Sequence, residues 1–233
     1  MRMDGAIAAT SPRPWRRALL ACLGACAASA LIVAAGTMYY RFANARFPNV
    51  GSSVWLATLW GVVSRAHLVV LAAPFVVLHA REMGFRVGQT TQHLRMLLIM
   101  LLANCGVVGA YLGLTGSGTP YSGDQWLLTE VITVPVVEET IWRGLVFAGV
   151  LRVLGPSAAP GLRLHLPAWA SGVSFGVLHA ANALAGVPWE FALIQALNAT
   201  VWGVVYGYAR AKTGSVYPPM LLHAAMNLTV VLF

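Results

Sequence analysis

Residues 18–40 run without a single charged side chain, and six further apolar stretches follow at about 54–80, 94–114, 126–154, 167–184, 190–209 and 216–233. Roughly 20 helical residues cross the ~30 Å hydrocarbon layer of a bilayer. Lipid offers no partner to a free amide or carbonyl, so only helices and closed barrels are viable there. Runs this long are helices, because a barrel strand needs only about 9–11 residues. Charged residues make up 9% of the chain, against about 25% in soluble domains. The expected fold is all-α, a polytopic transmembrane helical bundle of about seven spans. The second span is interrupted by Arg65, His67 and Pro74, and the last is short, with its polar groups on one face.

A net charge of +8 could point to nucleic acid, but its distribution points to the lipid bilayer. Arg2, Arg13, Arg16 and Arg17 precede the first span. Arg81, Arg86 and Arg95 follow the second, Arg152 and Arg163 the fourth, and Arg210 and Lys212 the sixth. The opposite connections carry only Arg41 and Arg46. By the positive-inside rule the N-terminus is cytoplasmic and the C-terminus lies outside. The expected location is a bacterial inner membrane, with no nucleic-acid partner. Arg16-Arg17 and the residues around Cys22 and Cys26 loosely resemble a signal or lipidation sequence. Apolar sequence continues to Tyr40, however, beyond the 7–15 residues of a signal core, so an uncleaved first span is expected. Cys22, Cys26 and Cys105 have no metal or disulfide spacing. The chain divides by content into residues 1–125, with three spans, and residues 126–233, a four-helix core that carries the ionisable groups.

Glu138-Glu139-Thr140-Ile141-Trp142-Arg143 sets three charged groups within the fourth apolar stretch. Each charge at a bilayer centre costs roughly 2.5–3.5 kcal/mol, and such groups usually turn inward for a function. Glu139 and Arg143 are i,i+4 neighbours and can pair, either as a structural lock or with a direct role. Glu138 points about 100° away and is left less neutralised, so it suits general-base work on water. Pro135 removes one helix hydrogen bond and is expected to free the Val131 carbonyl. Phe175 and His179 lie one turn apart on the fifth span, where Gly172 and Gly176 have the spacing that lets helices approach closely. His179 alone could be a packing residue. On the last span His223 and Asn227 share a face; they could hold an oxyanion, bind a metal or join helices.

In order, Glu138-Glu139-(x3)-Arg143, Phe175-(x3)-His179 and His223-(x3)-Asn227 resemble the motifs of the CPBP family of intramembrane proteases, the CAAX proteases and bacteriocin-processing enzymes. Gly144, the stretch Trp202–Arg210 and Gly214-Ser215 are also similar to that family, and the resemblance covers about residues 126–231. It implies a peptidase acting on a membrane-associated peptide or protein. Glu138 and His179 would activate water, Glu139 and Arg143 would support them, and His223 with Asn227 would stabilise the oxyanion. No cofactor is required on this reading; if zinc is present, Glu138, His179 and His223 are its candidate ligands.

A catalytically inactive relative acting as a scaffold or immunity protein could retain the same residues, and a transporter could use them as a relay. Other intramembrane protease schemes fit poorly. There is no H-E-x-x-H, Tyr121-Ser122-Gly123-Asp124 lacks the leading glycine of the G-x-G-D aspartyl type, and Gly116-Ser117-Gly118 reads as a loop. Among the remaining polar residues, Glu130 is a candidate cavity-mouth group, and Gln195 and Asn198 read as contacts between helices. The aromatic residues 15, 39, 40, 121, 126, 189 and 217 fit an interfacial belt. Arg65 and His67 are assigned no role.

Overall fold

The computed structural model describes residues 14–116 and 121–233; Arg2, Arg13 and the Ser117-Gly118 pair lie outside them. Among the described residues all regular structure is helical, in seven rods: α1 (Pro14–Arg46), α2 (Val54–Met83), α3 (Leu94–Thr115), α4 (127–154), α5 (Pro160–Ala180), α6 (Trp189–Thr213) and α7 (Tyr217–Leu232). Three of them, α1 to α3, are long and apolar enough to cross a membrane. Side chains such as Leu114 (88% exposed) and Val77 (80%) stand on their outer faces, where lipid would cover them.

Two helix ends differ from the apolar boundaries. α1 continues to Arg46 and α5 begins at Pro160, inside what reads as a connection. Hydropathy marks where lipid ends, not where helix ends: residues 41–46 contain no breaker, and proline suits the first helical turn. Pro74 does not end α2, which is irregular only at His79. A Ser53 cap starts that helix, its hydroxyl accepting from Leu56 N.

α5 and α6 form the most extensive helix–helix contact, antiparallel and very close. A Cβ on Gly176 would stand 1.8 Å from Thr200 Oγ1, and one on Gly172 would stand 2.6 Å from Val204 N. The small-residue spacing therefore does set a close approach. α3 is fastened to α6 and α7 by Asn104, fully buried, whose amide donates to the Tyr206 hydroxyl (2.6 Å) and the Leu222 carbonyl (3.1 Å). At one end of the bundle Arg210 bonds the Glu82 carbonyl (2.9 Å) and packs against Gly84. Gly84 has φ +90°, and a side chain there would occupy the space of the guanidinium.

α4 is where the architecture departs most from expectation. It is one continuous rod, but two of its stretches, Thr129–Thr133 and Thr140–Val146, are π-helical. They flank the short α section Val134–Glu139. In the first stretch Val134 N–H bonds to the Thr129 carbonyl, five residues back. The next donor in that register is residue 135, a proline without N–H. In that register the carbonyl left without a donor is that of Glu130, and the Asn227 amide donates to it at 2.8 Å. In the second stretch Phe147 N–H turns to Trp142 and Gly144, and the Arg143 carbonyl accepts from Arg210 Nε at 3.2 Å. Each π turn thus exposes a carbonyl that a side chain from α6 or α7 reaches.

Candidate active site

The two adjacent glutamates of α4 have different surroundings. Glu139 is fully buried, and its Oε1 accepts from both Arg143 Nη1 (2.9 Å) and His223 Nδ1 (2.9 Å). Arg143, also fully buried, lies over the faces of Phe175 (4.6 Å) and Tyr206 (5.5 Å). These contacts repay part of the desolvation of its charge. A Cβ at Gly203 would come within 2.9 Å of Arg143 Nη2, so α6 leaves room for the guanidinium only because that residue is glycine.

Glu138 faces the other way, into a cavity of about 540 Å³ that His179, His223, Asn227 and Glu130 also line. Such a volume lies within the roughly 300–1,000 Å³ of small-ligand pockets. Glu138 Oε2 has no hydrogen-bond partner among the described residues. Its Oε1 is 3.8 Å from Arg65 Nε of α2. The division between a paired Glu139 and a less neutralised Glu138 is the one that helical spacing predicts.

His179 Nδ1 donates to the Phe175 carbonyl at 2.9 Å. A carbonyl can only accept, so that nitrogen carries the proton and the neutral ring keeps a lone pair on Nε2. Phe175 stands between the imidazoles, its ring centroid 4.5 Å from that of His179 and 5.8 Å from that of His223. His223 Nδ1–H is committed to Glu139, which leaves its Nε2 as the second functional nitrogen. One amide hydrogen of Asn227 is taken by the Glu130 carbonyl, and the other is not needed there.

All six motif residues are thus gathered around one centre: Glu138, His179, His223 and Asn227 at the cavity, Glu139 and Arg143 behind it. Glu130 lines the cavity, as its position two turns before Glu138 anticipates. Gln195 accepts from Asn182 (2.8 Å), and Asn198 reaches Met226 of α7; both touch the cavity too. Among the described residues no three His, Cys, Asp or Glu side chains are grouped to hold a metal ion. Glu138, His179 and His223 therefore share a cavity without forming a three-donor set.

Sequence reasoning missed two residues. Arg65 is the cation nearest Glu138, and Asn104 fixes the carbonyl preceding His223. The signal in both cases was a polar group inside an apolar run, the same signal that singles out Glu138. Of the belt aromatics, Trp126 is buried against Trp60 (5.8 Å) and Tyr121 (5.3 Å), so its ring packs on protein.

Residues 125–229, a little under half of the chain, match the family model described as type II CAAX prenyl endopeptidase Rce1-like. The matched segment contains α4 to nearly the end of α7, and with them every motif residue. No curated protein and no solved structure matches the chain.

Proposed function

Starting from a chain whose residues 125–229 form an Rce1-like domain of a protease family, we propose that it is an intramembrane endopeptidase. It hydrolyses a peptide bond of a membrane-associated protein or peptide, using water activated by Glu138 and His179. The observation that carries this reading is the convergence of Glu138, His179 and His223 from three helices on one cavity. All seven helices are taken to span the membrane, with the N-terminus cytoplasmic.

Water held between the Glu138 carboxylate and His179 Nε2 loses a proton to Glu138 as its oxygen attacks the scissile carbonyl carbon. The tetrahedral oxyanion takes hydrogen bonds from the second amide hydrogen of Asn227 and from His223 when its Nε2 carries a proton. Donors fixed in advance of the charge are worth most in a site that excludes bulk water. Glu138 then returns its proton to the departing amine as the C–N bond breaks, leaving a new carboxyl and a new amino terminus. Glu139 and Arg143 do not touch the reacting atoms. Glu139 holds His223 by Nδ1, and Arg143 holds Glu139 in place. No metal takes part in these steps.

The test is turnover of a fluorogenic peptide library by purified protein in detergent, comparing wild type with Glu138→Ala and His179→Ala. Each substitution is expected to lower turnover by at least 10²–10⁴-fold, the usual share of acid–base catalysis, while the fold persists. A chelator is expected to leave the wild-type rate unchanged. Equal turnover in Glu138→Ala would remove the proposed base, and an absence of turnover on every peptide would favour a scaffold or immunity role.

A further inference from the structure

The two ends of the bundle differ in charge, and the cavity belongs to one of them. Among the described residues, nine basic side chains collect at the end formed by the start of α1, the α2–α3 and α4–α5 connections and the end of α6: Arg16, Arg17, Arg81, Arg86, Arg95, Arg152, Arg163, Arg210 and Lys212. Contacts between these segments fix them as one end. Arg17 bonds Ser157 (3.3 Å), Arg152 pairs with Glu82 (3.9 Å), and Arg86 bonds the Gly214 carbonyl (3.1 Å). The opposite end holds Arg41 and Arg46, balanced by Asp124 and Glu190.

The cavity lies toward this second, charge-balanced end. Tyr40 near the end of α1, Trp60 near the start of α2, Tyr121 ahead of α4, and Ala185 and Val187 between α5 and α6 all line it. Glu138 is 11 residues from the α4 end that faces this side and 16 from the basic end. At 1.5 Å per residue that is roughly 16 Å against 24 Å. His179 is nearer still, next to last in α5.

A positive excess of nine to two marks the cytoplasmic side of a membrane protein. We infer that the catalytic cavity opens on the non-cytoplasmic face. The inference rests on the proposed peptidase and narrows its substrate. The scissile bond must be offered from the exported side or the outer leaflet, by a translocated peptide or the outer end of a membrane-anchored protein. A cytosolic C-terminus is on the wrong side of the bilayer. Peptide reaching the site would come by the Tyr40–Ala185 side.

The test is the orientation of the full chain in the membrane of a bacterial host, with Cys22, Cys26 and Cys105 replaced by alanine. Leu184→Cys, exposed beside the cavity mouth, is expected to react with a membrane-impermeant maleimide on intact cells. Gln92→Cys, at the basic end, should react only after permeabilisation. Alkaline phosphatase fused after Phe233 should be active and a fluorescent protein in the same place dark. This second readout decides the orientation if either thiol is unreactive. The reverse pattern in either readout, or labelling of both cysteines on intact cells, overturns the inference. None of these readouts needs catalysis, so an inverted chain with peptidase activity fails only this inference. A correctly oriented chain without turnover fails only the proposed chemistry.

Discussion

Glu138 and Glu139 are adjacent in sequence, yet the structure assigns opposite outcomes to the same isosteric replacement. Glu139→Gln removes the counter-charge of Arg143, which has no access to solvent and no other carboxylate in salt-bridge range among the described residues. Leaving one member of a buried pair uncompensated costs about 3–5 kcal/mol. That is roughly two to nearly four powers of ten in the ratio of folded to unfolded protein. Glu138→Gln should change stability by less than about 1 kcal/mol. It loses only a 3.8 Å ion contact to a guanidinium that itself reaches the cavity, and Oε2 has no hydrogen-bond partner to lose among the described residues. Its activity should nonetheless vanish. The double variant Glu139→Gln, Arg143→Met should recover much of the lost stability, because no naked charge remains. The assay is denaturing-detergent titration in mixed micelles, followed by tryptophan fluorescence, to which the fully buried Trp142 beside Phe175 contributes, with peptide turnover measured in parallel. Equal stability of the two single glutamine variants would refute the distinction between a base in the cavity and a carboxylate behind it.

Two other substitutions probe the packing and the cavity. Gly176→Ala sets a methyl into Thr200 and the Ala196 carbonyl; it should cost about 1–3 kcal/mol by overpacking, read as a lower melting temperature in detergent, and Thr200→Ala in the same chain should restore part of it. Arg65→Gln should lower kcat at least tenfold with the melting temperature held, whereas Arg65→Lys keeps the charge beside Glu138 and should retain most of the rate; equal rates for all three proteins would show that Arg65 leaves Glu138 unaffected.

The membrane character, the helical class and the Glu139–Arg143 pair were legible because each follows from a local rule. Apolar length specifies a spanning helix, and an i,i+4 spacing brings two side chains to one face. Close packing of α5 on α6 was legible for the same reason, from glycines four residues apart. What escaped was non-local. Arg65 meets a carboxylate 73 positions further along, and no spacing rule connects them. The burial of Trp126 depends on aromatic neighbours from α1 and α2, which residue type alone does not reveal. The π turns escaped too. Expecting α register at Pro135 singled out the Val131 carbonyl and passed over that of Glu130, which Asn227 reaches from α7.

Those two wide turns make α4 less a rod than three segments that are phased separately. A regular helix would lock every face at 100° per residue from one end to the other; a π turn takes in one residue more before the ladder resumes. Deleting one residue of the stretch Thr140–Val146 would restore a uniform ladder and return the Arg143 carbonyl to the helix's own hydrogen bonding, with loss of its bond from Arg210 Nε. Chain length in that stretch therefore constrains the protein more tightly than most of its side chains do, and an alanine scan would pass over what a one-residue deletion exposes.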